Sequence, residues 1–260
     1  MPTENLQRAI GAIHVKFGGQ ALVPANRMPG TRPWATGLPA VDRLSGIGGL
    51  PRGRVSVVQG ATGSGKLSLA LALLARATRE HARAVVIDRP GEFDPWVPDR
   101  LGADLDVLTV IRPPAPATAG EAVVALARAG AGFGLVLEVP PEPALGPLES
   151  AAARSGSLVV VVAGEAGERR AIAHASSLTL ELELLAPVWE GRLVAGARSL
   201  LRCVKNKLAA PGAEAELEVR YPPAPRLAAA EEPREVGQVG RRAAARETAV
   251  ELWPGESAAG

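Results

Sequence analysis

At 260 residues with 47% hydrophobic side chains, the chain can hold one sizeable core plus extensions. Its net charge of +2 excludes the strong basic field of a protein that grips nucleic acid by charge alone. A single cysteine, Cys203, excludes an intramolecular disulfide and a cysteine-based metal cluster, and reads as a small core residue in a strand. No uncharged apolar run reaches membrane-spanning length, and residues 1–16 lack an unbroken apolar h-region, so a cytoplasmic protein with no signal peptide and no membrane partner is expected.

Leu6, Ala9, Ile10 and Ile13 recur at helical spacing and predict a short amphipathic helix that ends near Gly18-Gly19, within an N-terminal segment 1–22. Residues 23–33, with Pro24, Pro29, Gly30 and Pro33, read as a linker. A core over 34–221 follows. Apolar runs at 55–59, 84–88, 107–111, 134–139 and 158–163 read as strands, with helices between them at 66–78, 120–129 and 147–154. Short apolar strands that alternate with helices predict an α/β fold whose mostly parallel central sheet is flanked by helices on both faces. The strict alternation of residues 178–184 predicts a half-exposed antiparallel strand, and 198–205 and 214–221 add two more at the C-terminal side. From Pro222 the composition shifts to Ala, Pro, Glu and Arg, so 222–260 reads as a mostly disordered tail with a transient helix near 241–251.

The sharpest motif is Gly60-Ala61-Thr62-Gly63-Ser64-Gly65-Lys66-Leu67, between a predicted strand and a predicted helix. Strand, GxxxxGK, helix is the phosphate-binding loop context, in which glycines let backbone N–H groups wrap a phosphate and the lysine reaches the outer phosphates. A Gly-rich turn with an exposed lysine is the bland alternative, and the flanking elements weigh against it. The next residue should carry a hydroxyl to hold Mg²⁺, but it is Leu67. Ser68 could stand in, although on a helix it lies about 100° further round. Only four of the 29 basic residues are lysine, and three of those four fall at Lys66, Lys205 and Lys207, where a compact point charge is expected to matter. His14, His81 and His174 are scattered and suggest no ligand set.

Several stretches together resemble the RecA recombinase family over about residues 5–221. They are Lys16-Phe17-Gly18, Thr36-Gly37-Leu38 with Val41-Asp42, and Gly48-Gly49-Leu50-Pro51-Arg52-Gly53-Arg54-Val55. The phosphate loop follows, then Ile87-Asp88 with Phe93-Asp94-Pro95, Leu101-Gly102-Ala103-Asp104-Leu105-Asp106, and Val204-Lys205-Asn206-Lys207-Leu208-Ala209-Ala210-Pro211. The resemblance implies a RecA-like P-loop NTPase fold that binds ATP, with Mg²⁺, through residues 60–68. It places Asp94 and Trp96 on the base side and Glu138 at the strand end as a metal ligand or water activator. It implies that segment 1–22 docks on a neighbouring protomer, and that Lys205 and Lys207 reach a nucleotide held across that interface.

The departures are as informative. The family's catalytic Glu position is Pro90, with Glu92 displaced by two residues; its polar sensor pair is Ala163-Gly164; its adenine-side Tyr is Val97. The two regions that form DNA-binding loops in the family shrink to 139–157 and 165–175, and Glu168-Arg169-Arg170 in the second reads as a solvated turn. Short proteins of this kind resemble ImuA-like RecA paralogues, accessory to a mutagenic polymerase.

Three functions fit. The first is an ATP-binding accessory protein of DNA repair and damage tolerance, in the SOS response or translesion mutagenesis, with slow or absent hydrolysis and weak DNA binding. Its partner would be RecA, another RecA-like protomer, a second copy of itself or a translesion polymerase complex. The second is a DNA-dependent ATPase of recombination that relies on Glu92 or Glu138. The third is a nucleotide-independent scaffold.

Overall fold

The computed structural model describes residues 4–17, 32–80, 82–164 and 166–221. The expected tail, most of the expected linker, and His81 lie outside them. The chain divides into two units between Arg32 and Pro33. The first holds α1 (Glu4–Phe17), longer at both ends than the apolar repeat at 6–13. Glu4 in its first turn and His14 and Lys16 in its last suit the helix macrodipole. Leu6 and Ile13 are at least a third exposed and Val15 is 90% exposed, so the helix leaves apolar side chains in solvent.

The second unit runs β1 (Pro33–Trp34), α2 (Pro39–Leu44), β2 (Leu50–Pro51), β3 (Val55–Gly60), α3 (Lys66–Arg79), β4 (Ala84–Ile87), α4 (Trp96–Arg100) and β5 (Leu108–Ile111). It continues with α5 (Pro116–Ala129), β6 (Phe133–Val136), α6 (Glu142–Ser155), β7 (Leu158–Ala163), α7 (Ala166–Ile172), β8 (Ser176–Glu190), β9 (Leu193–Asn206) and β10 (Glu214–Arg220). β1 and β2 form a small antiparallel pair. The main sheet has eight strands in the order β10-β9-β8-β3-β7-β6-β4-β5. Its pairs from β8 to β5 are parallel, and β9 and β10 add antiparallel strands at one edge. This is the expected α/β architecture, with the antiparallel strands on the C-terminal side.

Both faces of the sheet are covered, which is why β7 is a run of valines rather than an alternation. Val58, Leu158, Val160 and Val162 face the cluster built with α3, and Val55, Val57, Val159 and Val161 face the cluster built with α5 and α6. β8 departs from expectation. It pairs antiparallel with β9 but parallel with β3, so Leu178, Leu180 and Leu182 are buried and the strand opens to solvent only from Glu183. Its far end and that of β9 carry Trp189, 60% exposed, and Leu193, 71% exposed. α6 begins five residues before the expected 147, with Pro147 inside it. A proline there removes the N–H that would reach back to residue 143 and crowds that carbonyl, yet the helix continues to Ser155.

The RecA-like sequence signatures have local causes. The Asp42 carboxylate accepts the Thr36 N–H at 2.9 Å, the Thr36 hydroxyl at 2.7 Å and the Gly37 N–H at 3.2 Å, which fixes the entry to α2. A Cβ at Gly49 would lie 2.0 Å from the Trp34 carbonyl oxygen, so only glycine lets β1 and β2 approach. Trp34 is anchored by its Nε1 donating to Glu80 at 2.7 Å and by a tilted contact with Phe133 at 5.8 Å. No helix among the described residues is long and apolar enough to cross a membrane.

Candidate nucleotide site

The carboxyl ends of parallel strands are where α/β sheets bind ligands. Here β3, β7, β6 and β4 end side by side, and the chain leaves them through residues 60–66, 164, 137–141 and 88–95. The loop after β3 turns on Gly63 (φ 81°) and Gly65 (φ 88°), both left-handed, and Gly65 caps the start of α3. The turn is closed by the Ser64 N–H donating to the Ala61 carbonyl at 3.1 Å. It is tied to β9 by the Ser199 hydroxyl, which donates to the Ser64 carbonyl at 2.8 Å. Ser64 Oγ is buried and has no hydrogen-bond partner among the described residues. The first-turn N–H groups of α3 have no intrahelical acceptor. Lys66 Nζ is 3.4 Å from the Ala61 carbonyl oxygen, a weak contact that leaves the ammonium open to a better acceptor. This donor set fits a phosphate chain such as that of ATP.

The remaining sequence-predicted residues fall into place unevenly. Ala61 and Thr62 are exposed on the loop, while Leu67 is partly buried and packs on the α3-side core, as an apolar residue there must. Ser68, the next residue on α3, is half-buried. Asp94 accepts the Trp96 N–H at 2.9 Å and so sets the start of α4. Trp96 is 42% exposed, with the Arg100 guanidinium 5.6 Å from its ring centroid. Glu92 is exposed, and its backbone N–H donates to Asp88 at 2.8 Å.

Glu138 is engaged. Its two oxygens accept from Arg89, one from Nε and the other from Nη2 at 2.6 Å, a side-on fork. This carboxylate holds the Arg89 guanidinium even more firmly protonated than usual. Asp88, fully buried, accepts from Arg112 Nε at 3.0 Å, and Arg112 Nη2 donates to the Phe93 carbonyl at 3.2 Å. Asp88 thereby pins the 89–93 loop. Among the described residues no group of three or more His, Cys, Asp and Glu side chains could hold a metal ion. With Leu67 carrying no oxygen and packed against the core, and Glu138 and Asp88 both paired, the residues present do not fit a divalent cation.

Arg89, Arg112 and Ser199 were not visible as site residues, because nothing in spacing links them to partners 49, 24 and 135 residues away. Glu168-Arg169-Arg170 was expected as a solvated turn and lies in α7 instead. Glu168 accepts the Gly164 N–H at 2.8 Å and Arg169 lies 3.6 Å from Glu181; only Arg170 is exposed.

Lys205 and Lys207 sit together at the end of β9, away from the loop in sequence. Lys205 Nζ donates to the Ala173 carbonyl, and to Ser176 at its carbonyl (2.7 Å) and hydroxyl (3.2 Å). Lys207 Nζ donates to the His174 carbonyl at 2.9 Å and lies 3.5 Å from Glu149. Burial, then the neighbouring Lys207 charge, pulls the Lys205 amine below its ordinary range. Between them, Asn206 Nδ2 donates to the Ser45 carbonyl at 2.8 Å. Within one chain, the Lys-Asn-Lys segment clamps the α7–β8 turn and the end of α2.

The family model described as RecA N-terminal domain matches residues 4–141. Among curated proteins, the chain is similar to Protein RecA of Aquifex pyrophilus, 30% identical over 256 residues, covering 83% of this chain and 73% of that protein. It is similar to Protein RecA of Thermus thermophilus, 30% identical over 257 residues, covering 83% and 75%. A third, Protein RecA of Chlorobium limicola, is 27% identical over 259 residues, covering 84% and 74%.

Proposed function

We propose, from the fact that this chain belongs to the RecA family, that it is an ATP-binding accessory protein of DNA repair and damage tolerance with little or no ATP hydrolysis. The observation that carries this reading is the coexistence of a formed phosphate loop with an unequipped catalytic position. Residues 60–66 retain the left-handed glycines, the orphan Ser64 hydroxyl and the lysine. Pro90 stands where the family's catalytic Glu is expected, and Glu138 is paired with Arg89. General-base assistance contributes roughly 10²–10⁴-fold in rate, so its loss predicts slow turnover even when nucleotide binds.

ATP would sit with its phosphates on the N-terminus of α3, Lys66 on the outer phosphates, and Trp96 beside the base. An ImuA-like role in the SOS response or translesion mutagenesis is the finer form of the proposal, in the cytoplasm and beside a RecA-like protomer or a polymerase complex. The short 139–157 and 165–175 regions support weak DNA contact. Lys205 and Lys207 would reach a neighbour's nucleotide only by leaving their carbonyl partners.

Steady-state turnover with saturating ATP and single-stranded DNA tests this. Binding by calorimetry with turnover far below that of an active recombinase supports the accessory reading. Rapid DNA-dependent hydrolysis overturns it in favour of a recombination ATPase. Absence of ATP binding leaves a nucleotide-independent scaffold.

A further inference from the structure

We infer that this site takes its nucleoside triphosphate without a divalent cation, the fixed Arg89 guanidinium supplying positive charge beside Glu138 where a metal would otherwise be held. The inference rests on the nucleotide-binding reading above and sharpens it. Three positions that could ligate an ion are each withdrawn by something specific. Leu67 has no oxygen and packs on the core. Glu138 gives both oxygens to Arg89. Asp88 is buried, bound by Arg112 and by the Glu92 N–H. A divalent ion at Glu138 would have to displace a guanidinium bound by two charge-assisted hydrogen bonds, one to each oxygen.

The sheet register brings this cation to the phosphate end of the cleft. Ile87 pairs with Val136, Val136 with Val161, and Val161 with Val57, so the exits carrying Arg89 and Glu138 lie level with the end of β3. Neighbouring strands are about 4.8 Å apart, and only β7 separates β6 from β3. Lys66 leans over that gap: its Cε is 3.9 Å from where a Cβ on Gly164, just after β7, would stand. Lys66 thus stands on the β3 side of the end of β7, while Arg89, which leaves β4, is held at Glu138 just past β6, the strand on the other side of β7. The fork uses Nε and Nη2, which leaves the two Nη1 N–H bonds outside it. On this inference a triphosphate on the loop extends from Lys66 towards Arg89, whose charge performs the electrostatic service of a metal ion.

Calorimetric titration of the full chain with ATP, in excess EDTA and in saturating Mg²⁺, tests the inference. A metal and a nucleotide that bind cooperatively change each other's affinity typically by about 5–150-fold, so dissociation constants within about fivefold of each other support it. Arg89→Ala is expected to weaken ATP binding in EDTA by at least about fivefold. The double variant Leu67→Thr with Arg89→Ala, which offers a hydroxyl and an unpaired carboxylate, is expected to become Mg²⁺-dependent. Glu138→Gln keeps the guanidinium and should retain binding in EDTA. Parent binding that appears only with Mg²⁺, or an Arg89→Ala protein that keeps its fold by circular dichroism and its affinity in EDTA, overturns the inference while the nucleotide reading stands. No binding in either condition overturns both.

Discussion

Lys66 is held only by a 3.4 Å contact in this chain, so removing its ammonium should disturb the ligand far more than the fold. Lys66→Ala is expected to cost roughly 1.5–3 kcal/mol of ATP binding, at least about tenfold in Kd by calorimetry, with an unchanged melting temperature. Gly60 is the opposite case. A Cβ there would stand 2.4 Å from Ser64 Oγ and 2.5 Å from the Leu182 carbonyl oxygen. Gly60→Ala should therefore destabilise the fold by about 1–3 kcal/mol, seen as a lower urea midpoint. Charged pairs divide the same way by burial. Arg112→Ala strands the fully buried Asp88 and should cost roughly 1.5–3 kcal/mol in urea unfolding, whereas Arg202→Ala, whose partners Glu183 and Glu214 are more than half exposed, should leave the urea midpoint nearly unchanged. The loop was legible in the sequence because its chemistry is contiguous. Arg89 and Arg112 were not, since each meets its carboxylate only after strands far apart in sequence are laid side by side.

Elements with a long enough repeat were read nearly to their ends: β7 at 158–163 and α3, which starts at Lys66 as expected and runs one residue further. The helices that escaped are α2, α4 and α7, of six, five and seven residues, too short to show a 3.6-residue period. What holds α7 in place is remote. The carbonyls at Ala173, His174 and Ser176, just past its end, are bound by the amines of Lys205 and Lys207. Lys205→Ala should release that turn. Hydrogen exchange is expected to accelerate in residues 166–176 while β3 and β7 keep their protection; equal protection in parent and variant would remove the clamp from the account. The same variant asks whether the rarity of lysine at this spot reflects a turn clamp or a partner's nucleotide. The first predicts local opening, the second lost association.

As an assembly problem, the chain carries an amphipathic helix with exposed apolar side chains and a nearly neutral charge balance. A helix of 14 residues is marginal in water by itself, and α1 exposes Leu6, Ile13 and Val15. Deleting residues 1–22 is expected to abolish self-association, or binding to a RecA-like protomer, while the second unit stays folded. Light scattering and pull-down on full and truncated chains decide it, and identical masses with identical capture would sink the idea. With a net charge of +2, affinity for single-stranded DNA should be micromolar or weaker and should fall with salt, since phosphate neutralisation dominates such binding.

The position of β3 in the middle of the sheet also sets a schedule for synthesis. Its two neighbours are β7 and β8, and the Gln59–Glu181 hydrogen bond spans 122 residues. At about 5–20 residues per second, a ribosome needs roughly 6–24 s to add that length. Until β7 (Leu158–Ala163) is made the run Val55–Val58 has neither of its strand neighbours, and until β8 (Ser176–Glu190) follows it has only one, so the phosphate loop it carries lacks its full base. Ligand present in the cell cannot hasten folding from the N-terminal side, because the segment that would bind it gains its strand neighbours only from residues translated long after it. A series of stalled nascent chains should show the loop gaining protease protection only after β8 has left the exit tunnel, and until then the valine run is the stretch a chaperone meets.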